Sequence, residues 1–112
     1  MELPNAERAT VDLGKITDYL LNAGHPENGG KARFFGDLGF ARAEPAALAN
    51  ALRALAVSGD VVRHSDSRHG RKFVVDGAIQ GPHAREAIVR TVWIIDAELD
   101  VPRLVTAYPG GV

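Results

Sequence analysis

The chain has no cysteine, one methionine, one tryptophan and few aromatic residues of any kind. Without cysteine there can be no disulfide, no thiol nucleophile and no cysteine-ligated metal. That composition suits a reducing compartment, and a cytoplasmic location is the expectation. With aromatics scarce, the core must be built from Leu, Val, Ile and Ala. Long apolar runs are missing too. The strongest, over 91–95, falls far short of the ~20 residues that a membrane-spanning helix needs. The first ten residues lack the apolar core of a secretory signal. Excess charge of one sign is also absent: 13 basic and 14 acidic residues give a formal net charge of −1. This excludes a surface that coats nucleic acid broadly, because such domains are strongly basic.

What is present fits one ordinary domain of 112 residues, too short for two independent cores. The reading is a flexible lead-in over 1–9, a single domain over 10–109 and a tail over 110–112. Charge is uneven. Between His25 and Ile95 there are 10 basic and 7 acidic residues, a local balance of +3, so the two ends supply −4.

Apolar residues Leu13, Ile16 and Leu20 recur at helical spacing after Thr10 and Asp12, which predicts a helix over 12–22. Asn22, Gly24 and Pro26 stop it. A second helix should begin near Lys31, carry Phe34, Phe35 and Leu38, and end at Gly39. The third should start at Pro45, bury Leu48, Leu52 and Leu55, and stop at Gly59. The period then changes to two, and β-branched residues take over. Strands are expected over 61–64, 71–76, 87–96 and 103–108. In the second, Phe73 and Val75 take one face, and Lys72 and Val74 the other. The third is apolar on both faces and should be central. Segregated helices and strands imply an α+β fold, with two or three helices packed on one face of a roughly four-stranded antiparallel sheet.

Three places could carry chemistry. The loop over 25–31 puts Gly29 and Gly30 before a helix start, with Lys31 and Arg33 at once after them. Such a start can hold an anion; the commoner reading of such a loop is a helix-connecting turn with a solvated lysine. His25 in the same loop could serve as acid or base, the role to which imidazole chemistry is suited. The segment Arg68-His69-Gly70-Arg71-Lys72 gathers basic groups at a hairpin, which could grip a phosphodiester or simply keep the surface soluble. Thr91 and Thr106 each have an aromatic residue two positions on, Trp93 and Tyr108. Each pair should share a sheet face, which hints at a polar cleft. The histidine spacings match no compact metal-ligand pattern, so a metal is not expected.

Four blocks then resemble a small bacterial family of uncharacterised, toxin-like domains. They are His25-Pro26-x-x-Gly29-Gly30-Lys31-Ala32-Arg33-Phe34-Phe35, then Gly70-x-Lys72-Phe73-Val74-Val75-Asp76-Gly77, then Val89-Arg90-Thr91-Val92-Trp93, and Leu104-Val105-Thr106-Ala107-Tyr108-Pro109. The order of helices and strands is similar to the barnase–EndoU–colicin–RelE superfamily of ribonuclease toxins. The resemblance implies a metal-independent, cofactor-free endoribonuclease of a toxin–antitoxin or polymorphic toxin system, acting on tRNA or mRNA and paired with a small antitoxin or immunity protein. Acid–base work would fall to His25, with His69 as second candidate. Lys31, Lys72 and Arg90 would stabilise phosphate, Thr106 and Tyr108 would orient it, and Arg33, Arg71 and Thr91 would add RNA contacts. Two other readings compete: a non-catalytic protein-interaction module, and the antitoxin or immunity partner of such a system. Convergence of His25, Lys31, Lys72 and Thr106 in one cleft would favour the enzyme; a flat apolar patch would favour the module.

Overall fold

The computed structural model describes residues 1–110; the rest of the tail expected over 110–112 lies outside the described residues. A 3-10 turn (Ala6–Arg8) leads into a short helix α1 (Leu13–Lys15), which continues as a π turn (Ile16–Leu20). Helices α2 (Lys31–Asp37) and α3 (Pro45–Ser58) follow. Then come four strands, β1 (Asp60–Ser67), β2 (Gly70–Gln80), β3 (Glu86–Asp96) and β4 (Arg103–Pro109). They form one antiparallel sheet in the order β1-β2-β3-β4. This is the expected α+β arrangement.

Residues 1–9 are tied to the domain. Leu3 and Ala9 are buried. Thr10 bridges to the β4 end, donating its N–H to the Pro102 carbonyl and accepting from Leu104 N–H. The helix expected over 12–22 is one α-helical turn followed by a π turn. Asp12 caps it, its carboxylate accepting from Gly14 N–H at 2.9 Å. Ile16 and Leu20 reach the core, while Leu13 stays 47% exposed.

Helix α3 begins with Pro45 in its first turn and buries Leu48, Ala49, Leu52, Leu55 and Ala56. That stripe packs on the sheet face made by Phe73, Val75, Val89, Trp93 and Ile95. Ile16, Leu20, Phe35 and Phe40 complete the same cluster. Thr91 lies within it, fully buried, donating to the Val75 carbonyl at 2.8 Å and accepting from the Trp93 indole N–H at 2.7 Å. Val74 and Val92 are also buried but belong to the opposite face, which no helix covers. Strands β1 and β2 are longer than their patterns predict and meet in a tight turn at Arg68 and His69. Gly70, at φ 140°, leaves it; a Cβ there would stand 2.3 Å from the Ile95 carbonyl oxygen.

Candidate functional site

The site is assembled by the π turn and the loop after it. Within the turn, Leu21 N–H donates to the Ile16 carbonyl, five residues back. A π turn shifts the phase of the helix. Tyr19 is thereby left half-buried beside the core residue Leu20. The loop returns through Asn28, a buried polar residue that must be satisfied. Its side-chain N–H group donates to the carbonyls of Tyr19 (2.6 Å) and Leu20 (3.3 Å), and its oxygen accepts from Ala32 N–H (2.9 Å). One amide therefore locks the turn that carries Tyr19 to the start of the helix that carries Lys31.

Around the Tyr19 ring stand four polar groups. Its hydroxyl shares a hydrogen bond of 3.0 Å with Thr106 on β4. The His25 imidazole meets the ring edge-on, with centroids 5.0 Å apart. The ammonium groups of Lys15 and Lys31 lie 5.7 and 5.5 Å from the ring centroid, within cation–π range. Lys31 Nζ also donates to the carbonyls of Asn28 (3.1 Å) and Glu27 (3.4 Å). Of its three N–H donors, one is left for another partner. His25 Nδ1 accepts from Glu27 N–H at 3.0 Å, so the neutral ring carries its proton on Nε2. Tyr19, Lys15, His25, Glu27, Val105 and Thr106 line one cleft. The edge strand contributes two adjacent residues because the register slips between Val92 and Trp93, making Val105 an extra residue in β4, as in a β-bulge.

Residues 2–111 match the family described as "Domain of unknown function (DUF6883)". The chain belongs to that family. Its fold is also similar to a chain of the "Contact-dependent growth inhibition toxin - immunity protein complex from Klebsiella pneumoniae 342". The TM-score is 0.75 and the identity 19%, with 96% of this chain and 97% of that one covered. No curated protein matches the sequence.

Of the residues singled out from the DUF6883 sequence, His25, Lys31 and Thr106 come together here. Lys72 does not: it sits on the uncovered face of the sheet with Arg63, Ser65 and Val74. His69 is exposed in the β1–β2 turn, and Arg71 lies over the Phe73 ring with its guanidinium 5.9 Å from the centroid. Arg33 is exposed on α2. Arg90 is held by Asp76 through two hydrogen bonds of 2.8 Å each. The Asp76 hydrogen bond and charge push its proton affinity above the ordinary arginine value. Tyr108 pairs with Arg90 across β3–β4.

One expectation needs correction. Thr91 cannot touch RNA, because it is fully buried and its hydroxyl is committed to Val75 and Trp93. The start of α2 follows the helix-connecting-turn reading and is not an open anion cradle. Its Ala32 amide is taken by the Asn28 side chain and the Lys31 amide by the Asn28 carbonyl. Sequence reasoning missed Lys15, Tyr19 and Glu27. The Lys15–Tyr19 spacing of four was a usable signal, since such residues are neighbours on a helical turn. Among the described residues, no group of three His, Asp or Glu side chains is gathered as a metal site requires. No helix among them is long and apolar enough to cross a membrane.

Proposed function

We propose that this protein is a toxin-like, metal-independent endoribonuclease whose reaction centre is the Tyr19 cleft. One observation carries the reading: an imidazole, the Lys15 ammonium and a hydrogen-bonded hydroxyl pair meet in a single cleft, with a second ammonium, that of Lys31, over the Tyr19 ring. Cleavage of RNA by transphosphorylation needs that set. The 2′-oxygen attacks the neighbouring phosphorus and the 5′-oxygen leaves, giving a 2′,3′-cyclic phosphate and a 5′-hydroxyl. A base takes the 2′-hydroxyl proton, and an acid gives a proton to the departing 5′-oxygen. His25 is one proton-transfer group, and the Glu27 carboxylate on the same cleft is its counterpart. Lys15 and the remaining N–H of Lys31 offset the charge that builds on the phosphoryl oxygens. The Tyr19 and Thr106 hydroxyls orient the phosphate. His69, on the far hairpin, has no part in this arrangement.

The structural likeness to a chain of a growth-inhibition complex supports a place in a toxin system, and with it a cognate immunity or antitoxin protein. That complex contains both kinds of chain, so a second reading makes this protein the immunity side. Expression alone and beside the neighbouring gene separates the two. Growth arrest relieved by the neighbour fits the toxin, and protection from a neighbour's arrest fits the immunity partner.

The direct test is RNA cleavage in the presence of a metal chelator. Cleavage is expected, and His25→Ala should slow it at least about 100-fold, the low end for acid–base catalysis. Full activity in that variant removes His25 from the mechanism; no cleavage of any RNA sinks the ribonuclease reading.

A further inference from the structure

The sheet face away from the helices carries ordered rows of side chains. Residues paired across adjacent strands share a face, and the register gives three rows in sequence. One runs Arg103–Ile94–Lys72–Ser65, the next Thr106–Val92–Val74–Arg63, and the third Tyr108–Arg90–Asp76–Asp60. In the middle row Val74 and Val92 are only 8% and 6% exposed although no helix lies on them. The longer side chains of the outer rows shade them. The middle row is therefore a narrow strip between two rows of longer side chains, its valines almost covered.

Its two ends differ. Thr106 belongs both to this row and to the Tyr19 cleft. The opposite end opens into a pocket lined by Arg63, His64, Ser65, Lys72 and Val74. Three strand spacings, ~14 Å, separate the ends. Charge follows the same division. Arg90 is spent on Asp76 and Arg103 on Asp96. Among the described residues, Arg63 and Lys72 have no carboxylate within 4.0 Å. The uncommitted positive charge of the face is thus concentrated at the end remote from the cleft.

We propose that this row is the path of a single polynucleotide strand leaving the Tyr19 cleft, with Arg63 and Lys72 as its distal phosphate contact. The proposal rests on the reading of that cleft as an RNA site. A polyanionic strand fits better than an acidic protein surface for two reasons. The row is narrow and its register runs to Thr106, and its free cations lie at one end rather than spread over a flat patch. Bases and riboses can lie along the side chains that flank Val74 and Val92 while the backbone reaches the cations; phosphate contacts of this kind give affinity without sequence preference.

The test is fluorescence anisotropy with non-cleavable 2′-O-methyl RNA, using a decamer and a trimer, on the wild type and on the double variant Arg63→Ala with Lys72→Ala. Decamer affinity should fall at least about tenfold at low salt. The dependence of log affinity on log salt should flatten by about 1.4, the value for two lost phosphate contacts on a single strand. Trimer binding should not change. Should the alanine variant fail to fold, Arg63→Gln with Lys72→Gln keeps side-chain bulk and is read the same way. Unchanged decamer affinity overturns the proposal, as does an equal loss for the trimer. Loss of an acidic partner protein with RNA binding intact also overturns it. Natural RNA assayed in parallel keeps the two readings apart. Cleavage by a double variant that binds the decamer normally defeats this path alone. Failure to cleave any RNA, with decamer binding still dependent on Arg63 and Lys72, defeats the ribonuclease reading alone.

Discussion

Two threonines on neighbouring strands separate the structural from the functional part of this molecule. Thr91 on β3 and Thr106 on β4 each lie two residues before an aromatic side chain, in strands that pair with one another. Thr91 is fully buried, and its hydroxyl is used by a backbone carbonyl and an indole N–H. Thr106 is half-buried, bonded only to another hydroxyl at the rim of a cleft. A buried polar group with every bond committed inside the fold specifies packing. A partly exposed one with spare bonding capacity is free to meet a ligand. The strand position decides which occurs: β3 is central and covered, while β4 is an edge with a bulge beside Thr106.

The largest effect that tests this contrast is on stability. Thr91→Val keeps the shape but strands the Trp93 indole N–H in the core. Leaving a buried donor unsatisfied costs about 1–3 kcal/mol. Denaturant unfolding should show a loss in that range, with the midpoint moving and the slope unchanged. A loss below about 0.5 kcal/mol would mean that the indole finds another partner and that Thr91 is not a specific packing device.

Thr106→Val should behave in the opposite way. Water can replace the lost partner of the Tyr19 hydroxyl, so the unfolding midpoint should move less than for Thr91→Val. RNA cleavage should fall by about tenfold, the worth of one hydrogen bond of up to ~1.5 kcal/mol in the reacting complex. A variant that loses stability as Thr91→Val does, yet cleaves normally, would make Thr106 a second structural threonine and erase the contrast.

Much of this division could be read from the residues, and the errors have physical causes. Pro45, the Leu48–Leu52–Leu55 stripe and Gly59 marked α3 because capping and burial both act locally there. The two-faced apolar pattern of β3 marked it as central. The ends of β1 and β2 were hidden. Ser65, Asp66 and Ser67 are exposed, so no alternation of burial betrays the strand. Gly77, just past the expected strand end at residue 76, lets α3 approach: a Cβ there would lie 3.1 Å from Leu55 Cγ. In the cleft, His25, Lys31 and Thr106 were visible as reactive residue types. Tyr19 was not, because a 3.6-residue period cannot anticipate a π turn. Thr91 was misplaced because its local pattern is the same as that of Thr106. Only the layering of the sheet, a property of long-range pairing, tells them apart.

The smallest effect concerns the ion pair that closes the open face beside the same edge strand. Arg103 on β4 donates to both oxygens of Asp96 on β3, at 2.7 and 3.1 Å. This hydrogen bonding holds the Asp96 carboxyl below its usual range. A carboxylate whose affinity for protons is lowered by folding stabilises the fold above its unfolded-state pKa, and that stabilisation is lost as the pH falls through the folded value. The wild type should therefore lose a small part of its stability below about pH 4. Asp96→Asn should lack that increment and be nearly indistinguishable from the wild type at the acid end. Both partners are substantially exposed, so salt should shrink the difference. The measurement is denaturant unfolding of both proteins between pH 3 and 7. A gap that widens toward acid would reverse the sign and show that Asp96 is protonated more readily in the fold than out of it. Because the pair spans β3 and β4 at the first residue of β4, three residues before Thr106, a normal cleavage rate in Asp96→Asn would also show that this ion pair is not needed to set the cleft.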